Sequence, residues 1–230
     1  MANNHDFARV RALFFDLDGT LIDSKLDLAL AVNAALAAMG RATLDTDRIG
    51  SFIGDGAPAL IRKTLAASSG AVPPEEEVAR ALEFFLGHYR AHMLDNTVLY
   101  PGVRECLDEL AASSAALGLA VLTNKPVRIS REILAGLGVV HHFRFVYGGN
   151  SLERKKPDPM GVDALLKDFG IGPREAMMVG DSEIDVQTAR NAGILVCGVT
   201  YGLGSHRLRD HPPDLLLDSL AALPGILNGR

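Results

Sequence analysis

Asp16 and Asp18 stand two residues apart at the end of an apolar run, Val10-Arg11-Ala12-Leu13-Phe14-Phe15, and are followed by Gly19-Thr20. Carboxylates this close repel each other unless a cation or a shared proton offsets the charge, and an aspartate can also attack phosphorus as a nucleophile. Metal-assisted chemistry on a phosphate suits the pair. A solvated strand end closed by an Asp-Gly turn would carry the same letters. Three further polar clusters occupy comparable places. Thr123-Asn124-Lys125-Pro126 follows the apolar run at 119–122, Gly180-Asp181-Ser182-Glu183-Ile184-Asp185 follows the run at 176–179, and Lys155-Lys156-Pro157-Asp158-Pro159 precedes a helical pattern. The Thr123 hydroxyl could donate to a phosphoryl oxygen, and a lysine whose backbone is pinned by prolines can be aimed at a phosphate. Asp181 and Asp185 are spaced to share the opening turn of a helix, where they could bind a cation or cap the helix.

Such side chains need a scaffold that gathers them. Short apolar runs at 12–15, 119–122, 143–147, 176–179 and 194–199 read as buried strands, and helical patterns open near Arg128, Met160 and Glu183. This alternation is the pattern of a doubly wound parallel α/β sheet with crossover helices. Ligands of such sheets collect outside the carboxyl ends of the strands, where the clusters after the runs fall. The gap between the first two runs is too long for one crossover. It holds successive helical patterns at 27–39, closed by Gly40, at 57–68, closed by Gly70, and at 75–93, opened by Pro73-Pro74. The expected organisation is a core of residues 1–24 and 97–230 with an inserted helical domain at 25–96. Leu21-Ile22-Asp23-Ser24 and Asp95-Asn96-Thr97-Val98-Leu99 are the expected hinge strands, and Pro101-Gly102 should open the next core helix.

With 230 residues, 48% of them hydrophobic, the chain can bury a core of this size. A formal charge of -5, no tryptophan and no Lys/Arg block argue against nucleic-acid and anionic-membrane partners and favour a small diffusible substrate. No apolar run approaches the ~20 residues that span a bilayer, and Met1-Ala2-Asn3-Asn4-His5-Asp6 lacks a basic stretch ahead of an apolar one. Cys106 and Cys197 are far apart in apolar settings, which suits reduced thiols rather than a disulfide framework. A cytoplasmic protein is expected, monomeric or homo-oligomeric. His88 and His92 lack the further ligands that zinc needs. Phe84, Phe85 and Tyr89 are expected in the core of the insert, and Ala-Ala-Ser-Ser near Ala66 and again near Ala111 on helix surfaces.

In order and spacing, the four clusters resemble the four motifs of the haloacid dehalogenase superfamily, phosphatase branch, and the resemblance covers essentially the whole chain. It implies a Rossmann-like parallel sheet core with an inserted helical cap domain of the first type. It also implies that Asp16 attacks phosphorus to form an aspartyl-phosphate, while Asp18 protonates the leaving oxygen and then activates the hydrolytic water. A departing halide needs no such proton, so Asp18 argues against dehalogenation. Mg2+ is the implied cofactor, held by Asp16, the backbone carbonyl of Asp18, Asp181 and, directly or through water, Asp185. Thr123 and Lys156 are the implied phosphate-binding and charge-neutralising groups, with Asn124 helping to hold substrate. Lys155 is expected to contribute less, and Lys125, beside Pro126, to lie on the surface.

Substrate choice is expected to reside in the cap. Ser51-Phe52-Ile53-Gly54-Asp55-Gly56-Ala57 sets a glycine-rich turn before a helix, where exposed amides could close on a small anion. The segment resembles the cap loop of bacterial phosphoglycolate phosphatases, as does Tyr100-Pro101-Gly102-Val103 at the return hinge. A tight interhelical turn, with Arg62 and Lys63 as solvated face residues, is the other reading. Gly54, Asp55 and Gly56 are the candidate substrate-binding residues here. The expected function is a Mg2+-dependent phosphomonoesterase for a small phosphorylated metabolite, foremost 2-phosphoglycolate. The alternatives are capped phosphatases for sugar phosphates, N-acetylmuramate 6-phosphate, nucleotides or pyrophosphate, and a sugar phosphomutase, which would want a basic group where Asp55 stands. A phosphate-sensing or partner-binding protein without turnover is the non-enzymatic alternative. The intact set Asp16, Asp18, Thr123, Lys156 and Asp181 counts against it.

Overall fold

The computed structural model describes residues 7–112 and 117–228; the expectations for residues 1–6 and for Ser113-Ser114 lie outside the described residues. The chain opens with β1 (Ala12–Phe15), β2 (Ile22–Asp23) and four helices, α1 (Lys25–Ala38), α2 (Thr46–Gly50), α3 (Ala57–Ser69) and α4 (Glu75–His92). It returns through β3 (Val98–Leu99) and α5 (Val103–Ala112), then alternates: β4 (Gly118–Leu122), α6 (Val127–Gly136), β5 (Phe145–Tyr147), α7 (Met160–Phe169), β6 (Ala176–Gly180), α8 (Glu183–Ala192) and β7 (Leu195–Val199). It ends with β8 (Leu215–Leu217) and α9 (Leu223–Leu227).

Six strands form one sheet in the order β5-β4-β1-β6-β7-β8, and every neighbouring pair is parallel. β1 lies inside it and is fully buried, because Leu13 and Phe15 feed one hydrophobic layer while Ala12 and Phe14 feed the other. Helices α5 and α6 supply Leu107, Leu110, Ile129 and Ile133 to the first layer. Helices α7 and α8 supply Val162, Leu165, Val186 and Ala189 to the second. This is the doubly wound arrangement, with continuous apolar strands covered on both faces. In register, Phe15 sits between Val121 and Val179, so Asp16, Thr123 and Asp181 leave the sheet along one edge.

Strand β8 has no counterpart among the expected strands. It is a three-residue edge strand after Pro212-Pro213, paired only through Cys197, Gly198 and Val199 of β7. The strand expected at 143–147 begins at Phe145, because the chain makes a short 3-10 turn at Val140–His142 first.

Between β2 and β3 the helices pack on one another through Leu28, Val32 and Leu36 of α1, Leu60, Ile61 and Leu65 of α3, and Val78, Phe85 and Tyr89 of α4. Acidic residues Glu75, Glu76 and Glu77 open α4, and Arg90 and His92 close it, in the sense that the helix dipole favours. The one-turn α2, capped by the Asp45 carboxylate on the Asp47 amide, is too short to leave a periodic signal. The hinge strands pair antiparallel, Ile22 with Leu99 and Asp23 with Val98. Asp27 locks this junction, accepting hydrogen bonds from Asn96 and from the amide and hydroxyl of Thr97. Burial would raise the Asp27 carboxyl, but these donors hold it below the usual carboxylate range. No helix among the described residues is long and apolar enough to cross a membrane.

The two-layer packing makes a direct demand on Phe14, which is fully buried and stacks on Phe169 at 6.0 Å. Phe14→Ala should cost about 3–5 kcal/mol in urea unfolding. Leu216→Ala, at a half-exposed position of β8, should cost less than about 1 kcal/mol. Equal losses would contradict the assignment of β1 as the centre of the core.

Candidate active site

The strand order reverses beside β1, and a doubly wound sheet opens a crevice at the carboxyl ends of the strands there. Asp16 and Asp181 are the first residues beyond β1 and β6. Two glycines let the chain close around Asp181. Gly19 has φ +87, and a Cβ there would lie 2.4 Å from Asp181 Oδ2; a Cβ at Gly202 would lie 2.1 Å from Asp181 Cβ. The Thr20 hydroxyl donates to Asp181 Oδ1 at 3.2 Å, and the Gly204 amide donates to Oδ2 at 2.8 Å.

Asp185 lies on the first turn of α8, where one carboxylate oxygen caps the helix and the other faces the lysine of the site. Its Oδ2 accepts from the amide and hydroxyl of Ser182, at 3.1 and 2.7 Å, as a helix cap. Its Oδ1 lies 2.6 Å from Lys156 Nζ. The same ammonium is 2.9 Å from Asp16 Oδ1, which also accepts from the Leu17 amide at 2.7 Å. One oxygen from each of Asp16, Asp181 and Asp185 lies within 4.8 Å of the others, and all three residues are buried.

Three buried carboxylates thus face one ammonium. Burial, opposed by Lys156 and reinforced by Asp185, raises Asp16 to about 6. Burial together with Asp185 and Asp16 raises Asp181 to about 8. Burial alone would lower Lys156, but Asp16 and Asp185 hold it above its usual value. The cluster is short of positive charge, and its donors are all oxygen. That combination fits a hard divalent cation of the Mg2+ type.

The Asp18 carboxylate is outside this cluster. It accepts from the Ser24 hydroxyl at 2.5 Å and from Lys125 Nζ at 2.8 and 3.0 Å. Lys125 therefore corrects the expectation of a surface lysine: only 6% of it is exposed, and its ammonium also sits 4.7 Å from the centre of the Tyr89 ring. Burial would lower Lys125, yet Asp18 and then Tyr89 hold it above the normal lysine range.

Thr123 is buried, its hydroxyl accepting from the Lys125 amide at 3.3 Å. Asn124 Nδ2 donates to the Gly54 carbonyl at 3.0 Å and to the Lys156 carbonyl at 3.1 Å, so it ties the insert's loop to the lysine segment. Lys155 reaches the same loop, donating to the Asp55 carbonyl. The Asp55 carboxylate pairs instead with Lys63, and Arg62 pairs with Glu75, so neither basic residue is merely solvated. Together these contacts enclose a cavity of about 40 Å³ lined by Asp16, Asp18, Thr123 and Lys125 from the core and by Gly54, Leu60, Phe85 and Tyr89 from the insert.

Phe85 and Tyr89 are buried as expected and also face this cavity, whereas Phe84 is exposed and stacks on His88. His92 pairs with Asp95, and neither His88 nor His92 joins a metal-type cluster among the described residues. Ser24, Thr20 and the amide of Gly204 are site groups absent from the sequence-based set. The signal for the last was available in Tyr201-Gly202-Leu203-Gly204, a glycine-rich loop beyond the carboxyl end of β7.

The sequence model of the haloacid dehalogenase-like hydrolases matches residues 13–199. A phosphoglycolate phosphatase of Haemophilus influenzae is 39% identical over 217 residues, covering 93% of this chain and 96% of its own. One from Pseudomonas fluorescens Pf0-1 is 39% identical over 222 residues, covering 95% and 80%. The crystal structure of a predicted phosphoglycolate phosphatase from Haemophilus somnus superposes with a TM-score of 0.88 at 33% identity, over 95% of this chain and 98% of that one.

The excess of buried negative charge should be measurable. Because Asp181 is raised from 3.8 to about 8, the folded metal-free protein binds more protons than the unfolded chain between those values. Its stability should therefore fall as pH rises through that window. Metal-free Asp181→Asn should melt about 3–6 °C above metal-free wild type at pH 8, with the gap narrowing at pH 5. Saturating divalent cation should reverse the order by stabilising only the wild type. Identical melting at both pH values would contradict the charge imbalance.

Proposed function

The chain belongs to the haloacid dehalogenase-like hydrolase family, and from that premise we propose that it is a phosphatase hydrolysing 2-phosphoglycolate to glycolate and phosphate, with Mg2+ as cofactor. The observation that carries the reading is Asp16 at the carboxyl end of β1, with its Oδ1 held by Lys156 and the Leu17 amide and its side chain on the wall of the cavity. With Oδ1 engaged, Oδ2 is the oxygen left to attack phosphorus, forming an aspartyl-phosphate. Asp18 donates a proton to the departing glycolate oxygen, then takes one from the water that attacks the acyl phosphate. The Thr123 hydroxyl and the Lys156 ammonium stabilise charge on the transferring phosphoryl oxygens, with no need to move during the reaction. Asp16, Asp181, Asp185 and the Asp18 carbonyl would hold Mg2+, which when bound supplies the positive charge this buried cluster lacks.

The substrate assignment is supported by the names of the relatives. In this reading residues 25–96 act as a cap over a core of 1–24 and 97–230, and Gly54 and Gly56 bring the cap loop onto Asn124. A cytoplasmic setting belongs to the same proposal and accords with two buried free cysteines.

Purified protein with Mg2+ should hydrolyse 2-phosphoglycolate with kcat/KM at least about tenfold above glucose 6-phosphate, N-acetylmuramate 6-phosphate, AMP and pyrophosphate. Chelation should abolish turnover and added Mg2+ restore it. Asp16→Asn should reduce kcat by about 10,000-fold or more, and Asp18→Asn by about 100- to 10,000-fold. Ordinary turnover by Asp16→Asn would end the nucleophile assignment, and a strong preference for another ester would end the substrate assignment.

A further inference from the structure

We propose that Lys125 and Tyr89 form a carboxylate subsite, which selects esters whose alcohol carries an acid group one methylene from the bridging oxygen; this rests on the phosphatase reading above. Lys125 is the single cationic side chain lining the cavity among the described residues. The other nearby cations are engaged elsewhere: Lys156 with Asp16 and Asp185, Lys155 with the Asp55 carbonyl, Lys63 with Asp55 and Arg62 with Glu75. The insert's wall is otherwise apolar, through Ile53, Leu60 and Phe85. An acid group entering such a wall loses its hydration, and needs a counter-charge and donors to replace it.

Tyr89 supplies the second, independent observation. It is 1% exposed, and its buried hydroxyl has no acceptor for its proton, since the neighbouring Lys125 ammonium can only donate. A buried donor without an acceptor in a native site calls for an explanation, and an incoming acceptor provides one. The ammonium of Lys125 lies 4.7 Å from the centre of the same ring, so one ligand group can meet both.

The reach is right as well. Lys125 Nζ is 2.8 and 3.0 Å from the Asp18 carboxylate oxygens. If Asp18 serves the bridging oxygen, a carboxylate one methylene away falls beside that ammonium. An ammonium has three N–H donors, so it can hold Asp18 and the substrate carboxylate at once. Core and insert then read the substrate jointly: the core lysine supplies the charge, and the α4 tyrosine supplies a hydroxyl that arrives only with the insert in place.

The test compares 2-phosphoglycolate with 2-hydroxyethyl phosphate, its neutral analogue of the same length, in wild type, Tyr89→Phe, Lys125→Met and Lys125→Arg with Mg2+. Wild type should favour the acid by about 100-fold or more in kcat/KM. Tyr89→Phe, which removes one oxygen from a buried ring, should cut that ratio about tenfold, mainly through KM for the acid. Lys125→Met will also disturb Asp18, so its readout is the ratio, which should collapse to within a fewfold of unity, while Lys125→Arg should keep most of it. A ratio unchanged in both Tyr89→Phe and Lys125→Met, or equal use of the two esters by wild type, would overturn the subsite and leave the phosphatase reading standing. Wild type that hydrolyses neither ester would overturn both.

Discussion

Crowding of negative charge at the end of two adjacent strands is the constraint around which this protein is arranged. Asp16 and Asp181 emerge from β1 and β6, Asp185 rises from the first turn of α8, and a single buried ammonium, that of Lys156, stands among them. Burial leaves Asp16 and Asp181 holding their protons far above the usual carboxylate range. No chain would gather these groups for stability, since buried charge that is incompletely paired costs free energy. The surrounding detail serves to keep them there: glycines that allow close approach, donors from Thr20 and Gly204, and a helix cap on Asp185. The arrangement makes sense as a site whose missing charge arrives with its ligands.

The same loops that form the site also hold the insert against it. Asn124 bonds to the Gly54 carbonyl, Lys155 to the Asp55 carbonyl, and Lys125 rests on the Tyr89 ring. Each comes from a segment whose neighbour faces the cavity or the carboxylate cluster, Thr123 in one loop and Lys156 in the other. Placement of the insert and placement of Thr123 and Lys156 are therefore linked through a few short stretches of backbone. Lid closure that completes a polar site and excludes water is a recurrent solution for hydrolytic chemistry.

Much of this was legible in the sequence because the central strands are continuous apolar runs, each followed at once by polar residues. Ala12-Leu13-Phe14-Phe15 ahead of Asp16 is the clearest case, and residues 176–179 ahead of Asp181 are another. The spacing of Asp181 and Asp185 reads correctly because the helix begins between them. Lys125 was illegible for the opposite reason. A lysine beside a proline looks like a loop residue, and its partner Asp18 lies 107 residues earlier. Ser24 and Thr20 are similarly plain in sequence, their roles set by turns that bring them onto Asp18 and Asp181. Phe84 and Phe85 look alike in sequence, yet their one-residue offset on α4 sends the first to solvent and the second to the cavity.

The proposed reaction passes through a covalent phosphoryl group on one particular carboxylate, that of Asp16. The most direct measurement is rapid acid quenching during turnover of phosphorus-labelled 2-phosphoglycolate, followed by peptide mapping of the trapped protein. Label should appear on the peptide containing Asp16, at a level that rises and decays with turnover. Turnover without any trapped phosphoprotein, or label on a peptide lacking Asp16, would contradict it.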